Sequence, residues 1–134
     1  MKHKTEQQII TYLSSLDYID FAILFGSYAR GKELPMSDID IAAGMGDKTL
    51  TLMQRGYIIA ELESRIHIDV DLLVLNRLLH TNPALAYHIF QEGYMLFIRN
   101  QRMLTELKTE AMLRYLDTSH LRQQFNRPFL KEFA

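Results

Sequence analysis

At 134 residues, with 48% hydrophobic and 23% charged side chains, the chain is sized for one globular domain with a core that needs no covalent staples. It contains no cysteine, which excludes disulfides, thiolate zinc sites and a cysteine nucleophile, and which fits a cytoplasmic protein. A net charge of −1 argues against direct nucleic-acid binding, although residues 1–98 carry eight Lys/Arg against twelve Asp/Glu and residues 99–134 seven against four. The polar opening MKHKTEQQII shows no secretory leader, and no apolar run approaches the ~20 residues needed to span a bilayer. A soluble protein without a membrane role is expected.

Thr5 and Gln8 have the spacing of a capping box, and Ile9, Leu13 and Leu16 recur at helical intervals, so residues 5–16 read as a helix with one buried stripe. In YIDFAILF, Ile19, Phe21, Ile23 and Phe25 alternate as in a strand, which runs directly into Gly26-Ser27. Tyr28 to Lys32 has room for a single helical turn. A second strand spans Asp38 to Ala43 and is closed by Gly44 and Gly46. Over residues 48–64, Leu50, Met53, Tyr57 and Ala60 share one helical face, and a third strand follows from His67 to Leu75. Asn76 could cap a short helical turn. Asn82-Pro83 starts a further helix, Gly93 stops it, and Tyr94 to Ile98 forms a short strand. A helix from about Asn100 carries Leu104, Leu107, Ala111 and Tyr115 along one face; it is expected to end near Asp117, ahead of a second short helix or an ordered arm.

Strands alternating with helices predict an α/β (α+β) fold, a small mixed sheet flanked by helices. The organisation expected is a core over residues 1–98 and a C-terminal helix and tail over 99–134, packing on the core, on a partner, or on both.

The chemistry concentrates in GSYARGKELPMSDID, Gly26 to Asp40. A small-residue turn lets backbone N–H groups approach phosphate oxygens. Ten residues later, Asp38 and Asp40 stand two apart in a strand and so project from one face, with Ile39 and Ile41 on the other. Two parallel carboxylates repel unless a cation lies between them, and Mg²⁺ takes oxygen ligands of this kind together with substrate phosphates. The third strand supplies Asp69 and Asp71, also on one face. Either could be the third carboxylate, with Asp71 preferred because Asp69 lies nearer the solvated start of the strand. Three carboxylates around two ions ~3.5–4 Å apart suit in-line attack on an α-phosphate. His67, His80 and His88 are scattered singly and carry no metal reading.

These residues resemble the nucleotidyltransferases of the DNA polymerase beta superfamily, whose signature is Gly-Ser, ten residues, Asp-x-Asp, then a later acidic residue. GSYARG at 26–31, SDIDIA at 37–42 and VDLLVLN at 70–76 are similar to three blocks of the minimal nucleotidyltransferase (MNT) proteins. ALAYHIFQEGYMLF (84–97) and RYLDTSHLRQQF (114–125) resemble that family's later segments. The resemblance implies that Gly26 and Ser27 hold a triphosphate, that Asp38, Asp40 and Asp71 are catalytic and bind Mg²⁺, and that Arg30 and Ser37 contact phosphates. It also implies ATP as substrate and, as partner, a HEPN-family ribonuclease toxin that the MNT protein neutralises as antitoxin by adenylylating (AMPylating) a tyrosine. Two alternatives stay open: an antitoxin acting by occlusion through its basic C-terminal segment, and a small-molecule transferase of the aminoglycoside-modifying type. Arg114 and His120 have an R-x5-H spacing superficially like the HEPN ribonuclease motif, read here as coincidence.

Overall fold

The computed structural model describes the backbone of residues 1–46 and 49–133, and the side chains of those residues as far as 117. The elements run α1 (His3–Ser15), β1 (Phe21–Phe25), β2 (Ile39–Gly44), α2 (Leu52–Ile66), β3 (Val70–Val74), α3 (Leu75–Thr81), α4 (Pro83–Glu92), β4 (Tyr94–Ile98) and α5 (Gln101–Phe133). The four strands form one mixed sheet in the order β3-β2-β1-β4. β1 is antiparallel to both β2 and β4, and β3 is parallel to β2. The parallel pair follows from α2, since two strands joined through a helix return in the same direction.

Helices cover both faces of the sheet, which is why the continuous apolar run Phe21 to Leu24 is buried throughout and not only at every second residue. On one face Ile9 and Leu13 of α1 and Ile58 and Leu62 of α2 pack on Leu24, Ile41 and Leu72. On the other, Leu79 of α3, Ala86 and Ile89 of α4, and Leu104, Leu107 and Ala111 of α5 pack on Phe21, Ile23 and Ala42. The first turns of α5 therefore belong to the core, and Arg99 is tied into it, its Nε donating to the Ile19 carbonyl at 3.1 Å.

Several local expectations change. α1 begins at His3 with no side-chain cap, so Thr5 and Gln8 form no capping box; the real one joins Thr51 and Gln54 at the start of α2. The buried stripe of α2 is Ile58, Leu62 and Ile66, whereas Met53 and Tyr57 face solvent at 85% and 65% exposure. Asn76 caps nothing: from within α3 it accepts from the Met45 N–H at 3.0 Å and donates to the Met45 carbonyl, tying α3 to the end of β2. α5 continues past Asp117 as one helix; the side chains of its last part, including His120 and most of the 114–125 segment, lie outside the described residues.

Asn82 and Pro83 do start α4, the Asn82 side chain accepting from the Leu85 N–H at 3.2 Å. Gly93 does end it, but not through a left-handed conformation, since its φ is −72°. Space is the reason. A Cβ there would lie 2.3 Å from Ile23 Cγ2 and 2.5 Å from the Ile89 carbonyl oxygen. Gly93→Ala is expected to cost about 1–3 kcal/mol, the range for overpacking a close-packed site, measured by urea unfolding; an unchanged midpoint would show that α4 shifts freely over β1.

Candidate active site

The sequence places its acids at one end of the sheet, where β1 stops and β2 and β3 start. Strand pairing sets them side by side. Asp40 lies opposite Phe25 of β1 on one side and opposite Asp71 of β3 on the other. Asp40 projects from the face that Ala42 and Ile23 share with α3–α5, and Asp38, just before β2, lies close enough for its charge to act on Asp40. Register also separates the two acids of the third strand. Asp71 faces Asp40 directly, while Asp69 precedes β3, is exposed, and offers its carbonyl to the Ile39 N–H at 2.8 Å.

Asp40 is the most constrained of the set. Partial burial raises its pKa above the ordinary carboxylate value, and the neighbouring charges of Asp71 and then Asp38 push it further in the same direction. It is also pressed against the turn: a Cβ on Gly26 would come within 2.3 Å of Asp40 Oδ2. Gly26 adopts φ +77°, a conformation open to glycine at little cost. Glycine is thus demanded twice over, by backbone conformation and by the carboxylate beside it.

Beyond Gly26 the chain makes a compact turn, with Arg30 N–H donating to the Gly26 carbonyl at 3.3 Å and Lys32 N–H to the Ser27 carbonyl at 2.9 Å. No hydrogen bond among the described residues engages the N–H of Ser27, Tyr28 or Ala29. Successive unpaired amides after a left-handed glycine suit an anion. Arg30 is exposed and lines a cleft of about 190 Å³ between this turn and α4, with Gly26, His88 and Glu92. Ser37 closes the following loop: its Oγ accepts from Leu34 N–H at 2.8 Å while its own N–H donates to the Leu34 carbonyl at 2.9 Å. Its hydroxyl hydrogen is left to donate elsewhere.

One participant escaped the sequence reading. Arg55 of α2 reaches round the edge of the sheet, donating from Nη2 to Asp71 Oδ1 at 3.1 Å and from Nε to the Leu72 carbonyl at 2.6 Å. The signal was available: with Ile58, Leu62 and Ile66 as the inner stripe, Arg55 falls on the same face, and a cation there needs a carboxylate. No group of three or more His, Asp or Glu among the described residues closes into a single metal shell, and Asp71 is paired with Arg55. The donors themselves, all carboxylate oxygens with mutual repulsion at Asp40, fit a hard divalent cation held by Asp38 and Asp40 and completed by phosphate oxygens.

Comparison with known proteins bears on the family and the fold. The family model described as polymerase beta, nucleotidyltransferase matches residues 7–102. The protein adenylyltransferase MntA of Shewanella oneidensis is 31% identical over 118 residues, which span 87% of this chain and 82% of that protein. A chain from the crystal structure of a toxin–antitoxin with AMP-PNP superposes with a TM-score of 0.71 at 26% identity, covering 96% of this chain and 98% of its own length. A mutant MntA–HpeT toxin–antitoxin structure gives a TM-score of 0.77 at 25% identity, with 93% and 98% coverage. Among the described residues no helix is long and apolar enough to cross a membrane.

Proposed function

The chain belongs to the polymerase beta nucleotidyltransferase family, and we propose that within it this protein is an Mg²⁺-dependent protein adenylyltransferase that silences a toxin of the HEPN type. The observation that carries the reading is the placement of Asp40, wedged between the Gly26 turn and Asp71 and within reach of the charge of Asp38. The free amides of Ser27, Tyr28 and Ala29 hold the β- and γ-phosphates of ATP, with Arg30 and the Ser37 hydroxyl as further phosphate contacts. Asp38 and Asp40 hold Mg²⁺, which supplies charge neutralisation at the α-phosphate. Asp71, oriented by Arg55, takes the proton of the acceptor hydroxyl as its oxygen bonds to the α-phosphorus and the bond to pyrophosphate breaks. The acceptor is a tyrosine of the partner, and the likeness to a protein adenylyltransferase favours this over a small-molecule acceptor. An AMP group adds bulk and negative charge where the toxin must bind RNA, which would block cleavage.

Occlusion without catalysis has one observation in its favour. Past the buried Leu104, Leu107 and Ala111, α5 exposes Met112, Leu113 and Leu116, a face suited to another protein. A single experiment separates the two readings. The chain is incubated with labelled ATP, Mg²⁺ and a HEPN-type toxin as the proposed partner, in parallel with an Asp38→Ala/Asp40→Ala variant. Label on the partner and loss of ribonuclease activity, both absent with the variant, are expected. An unlabelled partner that the variant still neutralises would leave occlusion as the function.

A further inference from the structure

A cavity of about 680 Å³ opens along the free edge of β3, between the start of α2 and α3. Leu50, Leu52, Leu72 and Leu78 give it an apolar wall, and Arg77 and His80 stand exposed on its rim. Arg77 has no ion pair among the described residues. The cavity meets the active site at Arg55, which lines it and holds Asp71.

Its position relative to the phosphates limits what it can receive. The sheet order puts the Gly26-Ser27 turn at the end of β1, Asp40 on β2, and Asp71 with the cavity on β3. In-line displacement requires the nucleophile to enter opposite the departing pyrophosphate. With the phosphates gripped at β1, attack comes from the β3 side. The ribose and base hang from a bond lying across that line and are not directed along it. Nor is the cavity built to add a strand to the sheet. Two of the outward polar groups of β3 are already taken, the Val70 N–H by Glu63 Oε2 at 2.8 Å and the Leu72 carbonyl by Arg55, which breaks the continuous ladder that an added strand needs.

We propose that this cavity is the acceptor subsite: it takes side chains flanking the target hydroxyl of the partner protein, an apolar one against the leucine wall and an acidic one against Arg77 and His80. The inference rests on the adenylyl-transfer reading and deepens it by fixing the acceptor's local chemistry and its side of entry.

The test uses the full-length chain and two variants. Leu52→Asp is fold-safe, because Leu52 is 82% exposed and an acid in the first turn of a helix is favourable. Arg77→Glu/His80→Glu reverses the rim charge. Affinity for the HEPN-type partner protein is titrated with a non-hydrolysable ATP analogue present, and affinity for the analogue alone is measured separately. Both variants are expected to weaken partner binding about tenfold or more, equivalent to about 1.4 kcal/mol, and to leave analogue affinity unchanged. Loss of analogue affinity instead would make the cavity a nucleotide pocket, and unchanged partner affinity in both variants would remove it from acceptor binding. A wild-type chain that binds its partner but never labels it would sink the transferase reading, while the titration still decides where the partner docks.

Discussion

Gly26→Ala is expected to lower AMP transfer about a hundredfold, the scale at which a 1 Å misplacement of reacting groups is felt, while leaving the protein folded at assay temperature. Two costs act together. Alanine at φ +77° is strained by about 1–2 kcal/mol, which a domain of this size tolerates. The larger consequence is local, because the new methyl group would lie 2.3 Å from Asp40 Oδ2 and 3.2 Å from its Cγ. Asp40 can yield only by swinging its carboxylate away from the turn, which separates the cation ligand from the phosphate grip. The check pairs a transfer assay with urea unfolding. Activity near the wild-type level in a folded Gly26→Ala protein would show that the contact between turn and carboxylate is dispensable.

How legible this site was in the sequence depends on the range of the interaction. That Asp38 and Asp40 lie close enough for their charges to interact follows from two residues of separation, although Asp38 precedes β2 and the two-residue period of a strand applies only from Ile39 onward. That Asp71 stands opposite Asp40 is a register between parallel strands separated by the whole of α2, and no local pattern encodes it. Within α2 two apolar stripes compete. Met53, Tyr57 and Ala60 are as periodic as Ile58, Leu62 and Ile66, and only packing against the sheet decides between them. With Met53, Tyr57 and Ala60 facing inward, Arg55 would lie on the opposite side of α2; with Ile58, Leu62 and Ile66 inward, it reaches Asp71. The exposed Met53 and Tyr57 and the nearby Leu52 then acquire a different meaning, as surface that the fold of one chain does not bury. Asn76 illustrates the same limit: a side chain with capping chemistry serves instead as a tie across thirty-one residues, because β2 ends where α3 begins.

Asp40→Asn is expected to abolish most transfer, about 10²–10³-fold as for the loss of one preorganised electrostatic group, and yet to make the metal-free protein more stable at neutral pH. The sign follows from the raised pKa. Burial, then Asp71, then Asp38, lift the Asp40 carboxyl above its ordinary value of 3.8. Between that value and the folded-state one, the folded protein holds the proton that the unfolded chain has released, so stability falls as pH rises through this window and stays reduced above it. Asparagine carries no charge and escapes the penalty. Its advantage in EDTA should be absent well below pH 3.8, grow across the window and level off above it. Adding Mg²⁺ with an ATP analogue should reverse the ranking, because only the native carboxylate gains the cation. Thermal unfolding across pH, with and without Mg²⁺ and analogue, reads all of this without any acceptor. If Asp40→Asn is instead the less stable protein at pH 7 in EDTA, the carboxylate is a structural hydrogen-bonding group. If it is the more stable, Asp40 is held in an unfavourable ionised state that only a bound cation relieves.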